Sequence, residues 1–260
     1  VRVMTWNILF GGGDRFEQIL GLVSRTAPDL LVLQEALGWE DRVRLGRIAS
    51  ALGLPDDPRH ALLGEARPRR SGKRYHVAVV SRRPILSVRL HNDPAVIGHC
   101  LAEVELGGLT LFAAHFDSHH ENLRFVEARY LRSRIDPQKF ATGRFILAGD
   151  LNSLSRRDPY PSDLDVLLKA AGTDKYGHPP RFEVIEELES AGWIDLLHVR
   201  GAPAQWITAK RNRGGVHIDY RTDYVFGSPA MAADLSSISV VPAGDASDHD
   251  AVVATFAEPV

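Results

Sequence analysis

Short apolar runs bounded by glycine, proline or charged turns recur along this chain, at residues 1–9, 30–33, 77–81, 85–90, 101–106 and 109–114. Runs of that length suit strands better than buried helices. Further strands are expected at 145–148, 223–226, 238–241 and 252–256. Gly107-Gly108, between Leu106 and Leu109, is a two-residue hairpin signal that joins antiparallel neighbours. Residues 16–24, 42–51, 122–133, 163–171 and 183–191 carry apolar positions at helical spacing. Asp14 with Glu17, and Ser118 with Glu121, each place a capping oxygen three residues ahead of a carboxylate and predict two helix starts. Strands interrupted by helices both early and late predict two sheets packed face to face with helices outside, an α/β sandwich. Pro55, Pro58 and Tyr160-Pro161 mark loops and not linkers, because apolar strands resume on both sides; residues 1–260 are expected to form one domain.

With 44% apolar and 25% charged residues the chain can bury a sizeable core. No stretch approaches the roughly 18 uninterrupted apolar residues of a membrane span. The chain starts in a strand-like run without a signal-peptide layout, so a cytoplasmic location is expected, with Val1 in place of Met leaving a removed leader open. Cys100, the single cysteine, excludes an internal disulfide framework and a multi-cysteine zinc site. A net charge of −2 and a pI near 6.6 give no global drive toward polyanions, so any such binding must come from local patches. Two stretches qualify: Arg67-Pro68-Arg69-Arg70-Ser71-Gly72-Lys73-Arg74 and Lys210-Arg211-Asn212-Arg213-Gly214-Gly215, both expected as exposed loops. Solubility is the simpler account of either stretch. The functional account is phosphate binding by Arg69, Arg70, Lys73, Arg74, Lys210, Arg211 and Arg213.

Four segments end apolar runs with acid-amide or acid-histidine chemistry: Thr5-Trp6-Asn7, Leu33-Gln34-Glu35, Gly149-Asp150-Leu151-Asn152 and Ser247-Asp248-His249. Each alone is ordinary turn chemistry; their order and placement are the signal. Gly11-Gly12-Gly13 lacks the Lys-Ser/Thr ending of a P-loop and reads as a strand-to-helix turn. With Thr222-Asp223-Tyr224-Val225-Phe226 and the looser Gly192-Trp193-Ile194-Asp195-Leu196, these blocks resemble, in order and end to end, the endonuclease/exonuclease/phosphatase superfamily of DNase I-like proteins. The resemblance implies a four-layer α/β/β/α sandwich of two mainly antiparallel sheets, with the site at one end.

Hydrolysis of a phosphate ester requires neutralised phosphoryl oxygens, a nucleophile made from water and a stabilised leaving group. Glu35, with Asn7 and Asp248, offers hard oxygen ligands suited to Mg²⁺ or Mn²⁺. Asp150 would orient and deprotonate water, and Asn152, two residues on, would hydrogen-bond the phosphate. His249 would contact a phosphoryl oxygen, with Asp223 accepting its other ring proton. Asp219 competes for that partnership, but only Asp223 is followed by a strand continuation. His115 matches a position where many family members place a second phosphate-contacting histidine; the alternative is a strand-end histidine bonded to backbone. His119 and His120 are read as surface residues of a first helical turn. The DNase-like branch supports its first histidine with a carboxylate near the strand equivalent to residues 75–80, where this chain has Lys73, Arg74 and His76.

The expected activity is therefore hydrolysis of a phosphate ester by a divalent-metal enzyme, first of all a nuclease-like phosphodiesterase. A phosphatase or phosphodiesterase for a small phosphorylated metabolite or a phospholipid headgroup is the alternative. A catalytically inactive binding module is the remaining class, because fold alone never secures activity. The substrate is the expected partner, nucleic acid among the options, and no obligatory protein partner is implied.

Overall fold

The computed structural model describes residues 1–68, 72–201, 206–213 and 215–257. In chain order the strands are β1 (Arg2–Asn7), β2 (Leu30–Gln34), β3 (Ala61–Gly64), β4 (Val77–Ser81), β5 (Ser87–His91), β6 (Cys100–Glu105), β7 (Leu109–His115), β8 (Arg144–Asp150), β9 (Ile194–Asp195), β10 (Ala209–Arg213), β11 (Val216–Tyr220), β12 (Asp223–Gly227), β13 (Leu235–Val241) and β14 (Ala251–Phe256). The helices that matter here are α1 (Phe16–Thr26), α2 (Val43–Ala51), α3 (Glu121–Ser133), α4 (Pro137–Thr142), α5 (Leu164–Ala170) and α6 (Glu183–Ser190).

Two six-stranded sheets form, in the orders β13-β14-β1-β2-β4-β3 and β5-β6-β7-β8-β12-β9. Each has one parallel pair, β1 with β2 and β7 with β8, and is otherwise antiparallel. Side chains on a strand alternate between faces, so each strand feeds two cores. Val3, Val32, Val79, Ala113, Ala148 and Val225 pack between the sheets. Met4, Trp6, Leu31 and Leu33 face outward onto Ile19, Val23, Leu45 and Ile48 of α1 and α2. Phe112, Leu147, Tyr224 and Phe226 pack against Ala128, Leu131, Phe140, Val184 and Leu188 of α3, α4 and α6. The result is the four-layer α/β/β/α sandwich that the resemblance implied.

The same alternation places the polar residues. Asn7 shares the inward face of Val3, Gln34 that of Val32, His115 that of Ala113, Asp150 that of Ala148, and Asp223 that of Val225. The inner faces are thus apolar along their length and polar at one end, the carboxyl ends of both parallel pairs.

Several expectations change. The second basic stretch is strand β10 and not a loop; it pairs with β11, and that hairpin packs on α5. The Asp14 capping box does not form. Gly11, Gly12 and Gly13 wind a 3-10 turn that runs to Arg15, so α1 begins at Phe16, and Glu17 pairs with Arg47 of α2. The Ser118 box fails as well. Asp117 Oδ1 accepts the backbone N–H groups of His119 and His120, and Glu121 turns inward to the buried Arg124. His119 and His120 therefore precede α3 and are not in its first turn. The Gly107-Gly108 hairpin forms as expected, both glycines having positive φ.

Candidate active site

Contacts among the motif blocks explain why they occur together. Gln34 Nε2 donates to Thr5 Oγ1 (2.9 Å), which ties β2 to β1. Trp6 Nε1 donates to the His249 carbonyl (2.8 Å), and Ser247 Oγ to the Asn7 carbonyl (2.7 Å), so β1 holds the Ser247-Asp248-His249 loop. In the second sheet Asp150 stands opposite His115 on one side and Asp223 on the other. Arg221, fully buried between Asp158 (2.9 Å) and Asp195 (3.0 Å), anchors the entry to β12.

At this end of the sandwich lies a cleft of about 570 Å³, lined by Asn7, Glu35, Asp150 and Asn152 among others. Asn7 Nδ2 donates to Asp150 Oδ2 (2.9 Å) and to Glu35 Oε1 (3.3 Å). Glu35 Oε2 accepts the Phe10 N–H (2.9 Å). Glu35 and Asn152 both have positive φ, 60° and 52°, a costly conformation for residues with a Cβ and one found where a site demands it. Asp150 Oδ1 accepts the Asn152 N–H (2.8 Å), and Asn152 Nδ2 donates to the Phe116 carbonyl (3.0 Å).

Asp223 Oδ2 lies 2.8 Å from His249 Nδ1, the expected pair. Asp219 is 2.8 Å from His217 Nε2 instead, which resolves the competition for His249. Burial disfavours the His249 imidazolium, but the charge and hydrogen bond of Asp223, with Asp150 and Asp248 nearby, raise its pKa to about 9. Asp223 itself is pushed up, first by burial and then by Asp150, against the pull of His249. Burial also works against ionised Asp150, yet His249, His115, Lys175 and the Asn7 hydrogen bond together hold that carboxyl below its ordinary value. His115 is the opposite case, its pKa lowered by burial.

The raised His249 value has a direct check. In the metal-free protein the imidazole should keep its proton through neutrality and lose it near pH 9, read by NMR titration, and Asp223→Asn should move the midpoint down. An unshifted midpoint in Asp223→Asn would show that Asp223 does not hold the proton. Because the folded value lies above the ordinary 6.5, the His249 shift contributes stability that is complete below about pH 6.5 and lost as pH rises through about 9.

His115 has neither ring nitrogen hydrogen-bonded, so the backbone-bonded alternative does not hold. Its Nε2 is 3.9 Å from Asp150 Oδ2. The ring stacks on His99 (4.2 Å between centroids, 8° between planes), and Tyr75 meets both edge-on. No support comes from His76, which faces away: its Nε2 lies 3.0 Å from Glu40 and its Nδ1 accepts the Ala66 N–H. His99 escaped sequence reasoning because nothing marks a histidine before a strand until β6 pairs Cys100 with His115.

The donor chemistry fits a hard cation. Two carboxylates share the single Asn7 amide nitrogen, and Asp223 Oδ1 is buried without a hydrogen-bond partner. Oxygens of Asp150 and Asp223 with a His249 nitrogen also lie within 4.8 Å of one another. A protonated His249 repels a cation there, so Glu35 with Asn7 is the better side. Asp248, the third expected ligand, has Oδ1 4.0 Å from His249 Nε2 and so stands on the histidine side.

The basic residues are placed less favourably. Lys73 Nζ lies over the Phe10 ring at 5.0 Å, and Lys210 pairs with Asp250 at 3.2 Å. Arg74 is exposed, with its charge felt at Glu40. Arg69 and Arg70 lie outside the described residues, and Arg211 and Arg213 are described only as backbone of β10. Trp206 packs edge-on against Tyr160, which lines a separate hollow. His119 and His120, read as surface residues, are exposed but also line the cleft.

A comparison with curated protein sequences finds no match. Among solved structures, an AP endonuclease from Archaeoglobus fulgidus is similar with a TM-score of 0.72 and 16% identity, over 98% of this chain and 99% of that one. The 3'-5' exonuclease NExo from Neisseria meningitidis gives 0.71 and 22%, over 98% and 99%. A structure of the 3' phosphatase NExo from Neisseria, bound to product DNA hairpin, gives 0.68 and 22%, over 98% of each chain. At these identities the likeness concerns the fold. The family itself rests on a sequence match: a model of the Endonuclease/Exonuclease/phosphatase family fits residues 4–249, which includes the whole span from Asn7 to His249, and the chain belongs to that family.

Proposed function

We propose that this chain is a divalent-metal-dependent phosphodiesterase acting on nucleic acid, with residues 1–260 as one catalytic domain. The observation that carries the reading is the convergence of Asn7, Glu35, Asp150, Asn152, His115 and the Asp223–His249 pair at one end of the sandwich. Mg²⁺ or Mn²⁺, held by Glu35 with Asn7, would supply Lewis-acid neutralisation of phosphoryl oxygens. Asp150, kept ionised by its neighbours, takes a proton from water as the water oxygen bonds to phosphorus, and the P–O bond on the opposite side breaks to release the leaving alkoxide, which takes a proton from solvent. The His249 imidazolium, kept charged by Asp223, donates to a phosphoryl oxygen and stabilises the charge that grows there. Asn152 lines the cleft and His115 lies 3.9 Å from Asp150 behind it, and both orient the phosphate. The similar AP endonuclease and DNA-bound NExo support nucleic acid as the polymer.

The second reading is a small phosphorylated metabolite or a lipid headgroup. It is favoured by the net charge of −2 and by the engagement of Lys73 and Lys210 within the protein. Among the described residues no helix is long and apolar enough to cross a membrane.

The test is a panel of oligonucleotides, plasmid, small diesters, monoesters and phospholipids with Mg²⁺, Mn²⁺ or chelator. Cutting of oligonucleotides that is abolished by chelator, restored by Mg²⁺ or Mn²⁺, and weakened steeply between about 50 and 200 mM salt is the expected result. Turnover that survives chelation would overturn the metal assignment. Fast monoester hydrolysis with intact oligonucleotides, or a flat salt response, would move the substrate to the second reading.

A further inference from the structure

The cleft contains a cation that no motif announced. Lys175 is the only lysine or arginine among the described residues that line it. Its Nζ donates to Asn152 Oδ1 at 2.5 Å, and the backbone N–H of the same asparagine donates to Asp150 Oδ1, so one residue links the ammonium to the proposed base through its side chain on one side and its backbone on the other. The segment that carries it is braced from below. Arg124, fully buried on α3, donates to the Lys175 carbonyl (2.5 Å) and to the Asp117 carbonyl (2.9 Å) while it pairs with Glu121. A buried guanidinium committed to two loop carbonyls fixes both cleft walls relative to α3. The charge of Lys175 also acts on Asp150 and on His115, alongside the larger effect of burial on each.

The geometry points to Lys175 as a further catalytic residue, its ammonium donating to a non-bridging phosphoryl oxygen and stabilising the negative charge of the transition state. This rests on the phosphoesterase reading above. A lysine ammonium is a compact charge with three donor hydrogens. One can stay on Asn152 Oδ1 while another turns to substrate, so Asn152 aims the cation and the cation holds Asn152 in its strained backbone conformation. No bond is made or broken by Lys175, and its proton stays on nitrogen. The role is one the sequence assigned to arginine-rich stretches; the structure puts Lys73 on Phe10 and Lys210 on Asp250 instead.

The test uses the full chain with Mg²⁺ and compares wild type with Lys175→Met, Lys175→Gln and Lys175→Arg, each verified by thermal melting. With the best substrate of the panel, the two uncharged variants should lose roughly 10²–10³-fold in kcat/KM, and Lys175→Arg should recover part of it. Inhibition by inorganic phosphate should weaken about tenfold, the loss of one charge-assisted contact. Discrimination between the two phosphorothioate diastereomers of a diester should shrink, a change that mere loosening of the loop does not produce. Wild-type kcat/KM in Lys175→Met, or lost activity with phosphate inhibition and diastereomer preference unchanged, overturns the assignment. If wild type hydrolyses nothing in the panel, the phosphoesterase reading fails; calorimetric phosphate binding that is equal in wild type and Lys175→Met then overturns the lysine contact separately.

Discussion

Replacement of Asp150 by Asn is expected to lower kcat by roughly 10²–10⁴-fold, the range for loss of a positioned general base. The side chains are nearly isosteric, so the effect isolates charge and acceptor capacity. Asp150 accepts through both oxygens, Oδ1 from the Asn152 N–H and Oδ2 from Asn7 Nδ2. An amide has one acceptor oxygen, so in Asp150→Asn one of those donors faces an NH₂ group. That mismatch in a buried site costs about 1–3 kcal/mol, while loss of the buried charge relieves part of the desolvation penalty. Melting within about 10 °C of wild type is therefore expected, since 1 kcal/mol moves Tm by roughly 2–4 °C in a domain of this size. Activity and stability are thus predicted to separate. Steady-state kinetics on the best substrate, beside a melting curve, decides it: an Asp150→Asn protein that hydrolyses at the wild-type rate removes Asp150 from the mechanism.

The largest effect on stability belongs to the residue before it. Gly149 sits in β8 where the strand runs parallel to β7, and a Cβ placed on it would lie 1.8 Å from the Ala114 carbonyl oxygen and 2.7 Å from its carbon. Both contacts are backbone, in strands paired on each side within the second sheet, so no side chain can swing away. Gly149→Ala must separate β7 from β8 or break their register at the step that sets His115 beside Asp150. A loss of about 3–5 kcal/mol is expected, the scale of severe overpacking in a core. Denaturant unfolding measures it, and a loss under about 1 kcal/mol would mean that the two strands yield more easily than their packing suggests. Any folded Gly149→Ala protein should also be catalytically weak, because the altered register carries Asp150 with it.

That glycine shows how sequence and structure divide the information. Gly149-Asp150-Leu151-Asn152 is legible as a motif, yet why the first position must be Gly appears only when Ala114 comes from another strand to meet it. The inward placement of Asn7, Asp150 and Asp223 was similarly implicit. A period of two fixes which side chains share a face, and the apolar partners two residues away identify that face as the core side. Helix starts were misjudged for the complementary reason. Asp14 and Ser118 have the right spacing for caps, but three positive-φ glycines and the buried Arg124 redirected the chain at those points. Short elements such as β3 and β9 carry too few residues for any period to show, and β10 is hidden by its run of Lys, Arg and Asn.

Order of motifs, strand parity and acid-amide chemistry at strand ends determined the family, the sandwich and most of the candidate site, because these depend on neighbours along the chain. The tertiary structure alone decided how the polar groups around the cleft are partnered: His99 stacked on His115, Lys175 on Asn152, Lys73 over Phe10 and Lys210 on Asp250. Long side chains on loops take their positions from whatever packs against them, and for Lys175 that is an arginine 51 residues away in sequence, invisible until α3 is in place.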